Sequence, residues 1–156
     1  MESEEEMDEL WKSINGYEGL YEVSTLGRVR SIERMVVNRR NREMKIKETI
    51  LKPENVYNGY ERVFLCKNGK GVHKRVATLV YESFIGAIPD GLEIDHTNGE
   101  RTDNRVENLR AVSHLENCRN PISRAKHLAA NESRSRKMKE YWAKKKAAST
   151  IIGAYM

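Results

Sequence analysis

The chain has 156 residues, enough for one domain of ordinary size or one small core with appendages. Hydrophobic residues make up 38% and charged residues 33%, so the core is lean, and no apolar run approaches the roughly 18–20 residues of a membrane span. The net charge of +5 hides an asymmetry: six of the 23 acids lie in the first ten residues, which hold no base, so residues 11–156 carry +11 and favour a polyanionic partner, nucleic acid first.

The acidic start, residues 1–10, is the wrong chemistry for a signal or transit peptide and reads as a disordered leader. Residues 11–32 read as short strands punctuated by Gly16, Gly19 and Gly27, with Trp11, Tyr17 and Tyr21 as a small core. Arg28 and Arg30 flank Val29, and on a strand they share a face that can lie along DNA while Val29 turns inward. Residues 33–45, with Arg34, Arg39, Arg40 and Arg42, read as an exposed basic loop. Residues 46–51 and 60–66 read as two strands joined through Pro53 and the Asn58-Gly59 turn signal, and residues 67–71 as a tight turn.

The period then changes. Val76, Val80 and Phe84 recur every fourth residue, predicting an amphipathic helix over 74–85. Residues 92–95 form a short strand, 97–104 a polar loop in which Asp103 and Asn104 are ordinary loop formers, and 109–112 a second strand. Ser113 and Glu116 fit a capping box, so a helix starts at His114, and Pro121 stops or kinks it. The stretch 119–146 holds ten Lys/Arg against Glu132 and Glu140, with helical composition but a thin apolar stripe. It is either a solvated helix face or a helix that needs a partner to be fully ordered. Cys66 and Cys118 form no CxxC pair, which excludes a disulfide scaffold and a self-contained zinc finger and suits a reducing cytosol.

The chemistry concentrates between Glu93 and Asn120, a strand–loop–strand–helix unit. Asp95-His96 ends the first strand, Asn108 opens the second, and Asn117 sits one turn into the capped helix, where it can fold back toward the pair. A carboxylate and an amide oxygen are hard ligands for Mg²⁺ or Mn²⁺. A histidine beside them can take a proton from water near neutral pH. That grouping suits phosphodiester hydrolysis. Each residue also has an ordinary reading, as surface polar pair, turn cap or solvent-facing helix residue.

The stretches His73–Phe84, Glu93–Gly99, Asp103–Arg110 and Glu116–Asn120 together resemble the HNH (ββα-metal) endonucleases of the phage and intron-encoded homing type. Trp11–Ser24 with Gly27–Ser31 resembles the modular DNA-binding motif that commonly precedes the nuclease domain in these enzymes. The resemblance implies His96 as general base, Asp95 and Asn117 as ligands of one divalent metal, Mg²⁺ or Mn²⁺, and Asn108 as the middle Asn that holds the loop and orients the base. The last HNH position is Asn117 rather than His, and His114, three residues away, is the alternative ligand.

The expectation is an α+β chain: acidic leader 1–10, a small β-rich DNA-binding module with its basic loop over 11–66, an amphipathic helix and ββα-metal nuclease core within 67–120, and a basic helical tail over 121–156. The expected function is site-recognising cleavage of double-stranded DNA in a phage or bacterial host cytosol, one active site per chain, nicking as a monomer. Arg28, Arg30, Arg39, Arg40, Lys74, Arg75 and Arg119 are the expected DNA contacts. A regulator that keeps the fold without catalysis and a less specific nuclease are the rivals.

Overall fold

A computed structural model describes residues 8–38, 40–56 and 59–153. The chain divides into two compact units, Met1–Asn117 and Cys118–Met156. In the first, β1 (Trp11–Ser13), β2 (Tyr21–Ser24) and β3 (Val29–Ser31) form an antiparallel sheet. Next come β4 (Arg34–Val37), β5 (Glu43–Ile46) and β6 (Thr49–Ile50), of which β6 completes the first sheet in the order β1-β2-β3-β6. Strands β7 (Glu54–Asn55), β8 (Glu61–Lys67) and β9 (Lys70–Arg75) form a second antiparallel sheet. Helix α1 (Val76–Phe84) follows directly, then the antiparallel pair β10 (Leu92–His96) and β11 (Leu109–Ser113), with a 3-10 turn over Val106–Asn108 between them. Helix α2 (His114–Arg119) ends two residues into the second unit, and α3 (Pro121–Gly153) makes up most of the rest.

One cluster of buried side chains runs through the first unit: Ile14 just after β1, Tyr21, Val23 and Val29 from β2 and β3, Val63 and Leu65 from β8, Val76, Ala77, Leu79 and Val80 from α1, and Leu109 from β11. The 3.6-residue period of α1 aims its apolar stripe inward, and the period of two in β8 does the same for Val63 and Leu65. The N-terminal strands, expected from the sequence to bind DNA, and the segment carrying Asp95-His96 are thus built on a shared core.

Several expectations change. Residues 33–45 are not a loop: β4 and β5 pair from Arg34↔Ile46 to Val37↔Glu43 as a separate hairpin. Strands within 46–51 and 60–66 do not pair with each other, since β6 joins β3 while β8 lies between β7 and β9. Asn58 of the expected turn lies outside the described residues, as do residues 1–7 of the acidic leader. The turn over 67–71 narrows to Asn68 and Gly69, both with positive φ (53° and 74°), which suits a two-residue hairpin loop between β8 and β9. Helix α1 therefore starts at Val76 rather than 74. The helix from His114 stops at Arg119, ahead of Pro121 as expected, and Pro121 also starts the next helix. Asn120 caps α3, its Oδ1 accepting the Ile122 N–H at 3.1 Å, and Pro121 takes the first helical position, where its missing N–H costs nothing.

Candidate active site

Strand β10 carries Asp95 and His96 to the edge of the core, and both are almost fully buried. Strand alternation sets Glu93 and Asp95 side by side on one face, and the register puts Arg110 of β11 opposite Asp95. The guanidinium bonds the Asp95 carboxylate twice, Nε at 3.0 Å and Nη2 at 2.8 Å, both on Oδ2. Both bonds fall on one oxygen, so the contact anchors Oδ2 and leaves Oδ1 outside this pair.

Helix α2 closes over the same face. Ser113 Oγ accepts the Glu116 N–H at 3.3 Å, the expected cap, and orients the first turn. One turn in, Asn117 donates through Nδ2 to Glu93 Oε1 at 2.8 Å. The Asn117 bond holds the Glu93 carboxyl below its ordinary range against the opposing effect of burial, with His114 adding to it. Since the ionised carboxylate only accepts, the Asn117 amide oxygen faces away from Glu93. His114, the alternative ligand, has its Nδ1 on the same Glu93 oxygen at 3.0 Å, and its side chain is 82% exposed. Tyr60, Arg75, Glu93, Ile94 and Asn117 line a cleft of about 190 Å³ beside this face.

The donor set fits a hard divalent cation. Asp95 and Asn117 offer one carboxylate and one amide oxygen, and no group of three or more His, Cys, Asp and Glu suited to a metal occurs among the described residues. Two protein ligands would leave most positions to water and phosphate, the way magnesium is commonly held at phosphate sites.

Asn108 ties the loop between β10 and β11. Its Nδ2 donates to the Asp103 carbonyl at 2.7 Å and to Asn98 Oδ1 at 3.1 Å, while its Oδ1 accepts the Asn98 N–H at 3.0 Å. Its backbone carbonyl takes the Thr97 N–H at 2.9 Å. It ends the 3-10 turn just before β11 rather than opening the strand.

Around His96 the structure adds partners that the sequence did not single out. Its Nε2 lies 3.1 Å from Asn104 Oδ1, and Asn104 Nδ2 donates to Glu61 Oε2 at 2.8 Å and to the Thr102 carbonyl at 3.4 Å. The Tyr60 ring lies 5.9 Å from the His96 ring, centroid to centroid, with the Arg75 and Arg101 guanidiniums each 4.9 Å from its centre. Glu61 lies 43 residues from Asn104, a separation at which no local pattern operates. Arg110 had a legible signal, since antiparallel pairing of the two predicted strands brings it near Asp95.

The expected DNA contacts are spread over the molecule. Arg40, Lys74, Arg75 and Arg119 are exposed, and Arg39 lies outside the described residues. Val29 is buried as expected, but Arg28 pairs with Glu9, and Arg30 pairs with Glu22 at 2.6 Å and Glu48 at 3.1 Å. Both guanidiniums also stack on the half-buried Trp11 ring, at 5.7 and 4.2 Å.

Two family models match the chain: the NUMOD4 motif over residues 9–66 and an HNH endonuclease over residues 74–119. In sequence the chain is similar to the DNA endonuclease I-HmuI of Bacillus phage SP01, 37% identical over 114 residues that make up 73% of this chain and 58% of the relative. Among solved structures it is similar to one described as DNA binding and cleavage by the HNH homing endonuclease I-HmuI, with 36% identity and a TM-score of 0.59 over 74% of this chain and 59% of that one. The chain spans less than two thirds of this relative's length.

Proposed function

The chain belongs to the HNH endonuclease family, with a NUMOD4 motif ahead of its HNH domain, and from that premise we propose that it recognises a site in double-stranded DNA and hydrolyses one phosphodiester bond there. The observation that carries this reading is the closure of α2 over β10, which brings Asn117 onto Glu93, beside Asp95, at the strand end that also holds His96.

His96 takes the proton from the attacking water. Oxygen from that water bonds to phosphorus, the bond to the 3′ oxygen breaks, and that oxygen acquires a proton, leaving 5′-phosphate and 3′-hydroxyl ends. Asp95 and Asn117 would hold one divalent ion, Mg²⁺ or Mn²⁺, with Arg110 anchoring the Asp95 carboxylate. When bound, that ion supplies charge stabilisation to the phosphate and the departing oxygen. Asn108 keeps the loop beside His96 in one conformation. Arg39, Arg40, Lys74, Arg75 and Arg119 contact phosphates and position the duplex, while Arg28 and Arg30, already paired with acids, act by presenting the first sheet. The NUMOD4 segment and the basic helical tail read the site, and the HNH segment cuts. One site per chain makes the product a nick by a monomer.

A supercoiled plasmid carrying DNA from the source genome tests the reading. Open circles with Mg²⁺ or Mn²⁺, none with EDTA and none with Asp95→Ala, support it. Tight DNA binding with no cleavage under any metal would favour the non-catalytic regulator instead.

A further inference from the structure

Two oxygens decide the orientation of the Asn104 amide. Its Nδ2 faces Glu61 Oε2 at 2.8 Å and the Thr102 carbonyl at 3.4 Å, and its Oδ1 faces His96 Nε2 at 3.1 Å. A carbonyl and an ionised carboxylate accept and never donate, so the NH₂ group belongs on their side. The amide oxygen is thereby aimed at His96, and it too can only accept. The nitrogen facing it must carry the proton. In the neutral imidazole the basic lone pair then belongs to Nδ1.

The surroundings hold this arrangement in place. Asn104 is 3% exposed. Gly27 of the NUMOD4 segment packs on it so closely that a Cβ there would sit 2.7 Å from Asn104 Cβ. The neighbouring Thr25 carbonyl takes the Val106 N–H at 2.9 Å. Glu61 opens β8 and lies within the NUMOD4 match, whereas Asn104 and His96 lie within the HNH match. Burial lifts the Glu61 carboxyl above its ordinary range, with the Asn104 bond and His96 opposing.

We infer that Glu61 is a positioning residue for catalysis: acting through Asn104, it fixes His96 as the Nε2–H tautomer and so makes Nδ1 the basic nitrogen of the ring. The NUMOD4 segment is then part of the catalytic machinery as well as a DNA-reading module. This inference rests on His96 being the general base.

The test combines two substitutions in the full chain. Glu61→Gln keeps the shape but lets the relay run in either direction. Glu61→Lys turns its end from acceptor to donor, which flips the Asn104 amide and moves the imidazole proton to Nδ1. ¹⁵N shifts of His96, read at a pH where the ring is neutral, report the tautomer. The expected order is protonated Nε2 in the wild type, a mixture in Glu61→Gln and protonated Nδ1 in Glu61→Lys. In step with it, kcat falls about 10–100-fold, as for other partners that orient a working histidine, with KM and DNA affinity little changed. The inference is overturned if His96 keeps one tautomer in all three proteins, or if kcat is unchanged in both variants. It is equally overturned if kcat follows DNA affinity or thermal unfolding rather than tautomer. His96→Ala separates this from the underlying reading: if that variant still cleaves, the general-base assignment fails; if it is dead while Glu61→Lys cleaves normally, only the relay fails.

Discussion

Asn108 uses both ends of its amide inside the protein, on Asn98 and on the Asp103 carbonyl, and is 6% exposed. Replacing it by alanine removes three hydrogen bonds and leaves their partners half-satisfied. The expected loss is about 3 kcal/mol in denaturant unfolding. In the same loop the Arg105 guanidinium beside Asp103 takes its carboxyl from an ordinary 3.8 down to about 2, against partial burial and with help from Asn98. A depressed carboxyl stabilises the fold fully above its unfolded value, and that contribution fades as pH falls toward the folded one. Protection of the Asn98 and Arg105 amides, taken as measured exchange against the intrinsic rate at each pH, should therefore hold steady on acidification to near 3.8 and fall between there and about 2. Arg105→Ala should raise the lower end of that window toward 3.8 and shrink the loss. The strand end carrying Asp95-His96, the loop position of Asn108 and the capped helix carrying Asn117 were legible because their residue types and order are local. Asn104 read as a loop former because its partner Glu61 lies 43 residues away.

Among the elements, those with a clear period were legible and those without were not. Helix α1 and the β10–loop–β11–α2 unit follow their apolar spacing and the Ser113 cap. The β4–β5 hairpin did not, because its alternation is weak and Met35, Val37 and Met44 stay exposed. Strand β9 is exposed along its whole length, so nothing in its pattern marks a strand; only pairing with β8 makes it one. The cap of α2 offers a clean perturbation. Ser113→Ala should cost about 1 kcal/mol and loosen the turn that carries Asn117, raising the metal concentration needed for half-maximal cleavage. Gly27 tests the turn that meets the Asn104 loop. Its φ of +81° and its contact with Asn104 both disfavour a side chain, so Gly27→Ala should destabilise by roughly 1–3 kcal/mol. It should also slow cleavage more than it weakens DNA binding.

At the scale of the whole molecule, charge and catalysis separate. The net +11 over residues 11–156 is a sequence property, and it favours a polyanion partner without saying which cations would meet it. The structure sorts them: Arg28 and Arg30 are held by acids, whereas Arg40, Lys74 and Arg75 are exposed. Alanine at Arg40, Lys74 or Arg75 should lower the slope of log affinity against log salt by about 1 each. Alanine at Arg30 should reduce stability with little change in that slope. The shared core was invisible in the sequence, because it is made of contacts between segments that read separately as a DNA-binding module and a nuclease.

The most direct measurement of the central claim compares wild type and His96→Ala for DNA affinity and for single-turnover cleavage with divalent metal. Loss of cleavage with affinity within about twofold of wild type is the predicted result, because His96 acts on water rather than on the duplex. Cleavage at the wild-type rate by His96→Ala would contradict the account.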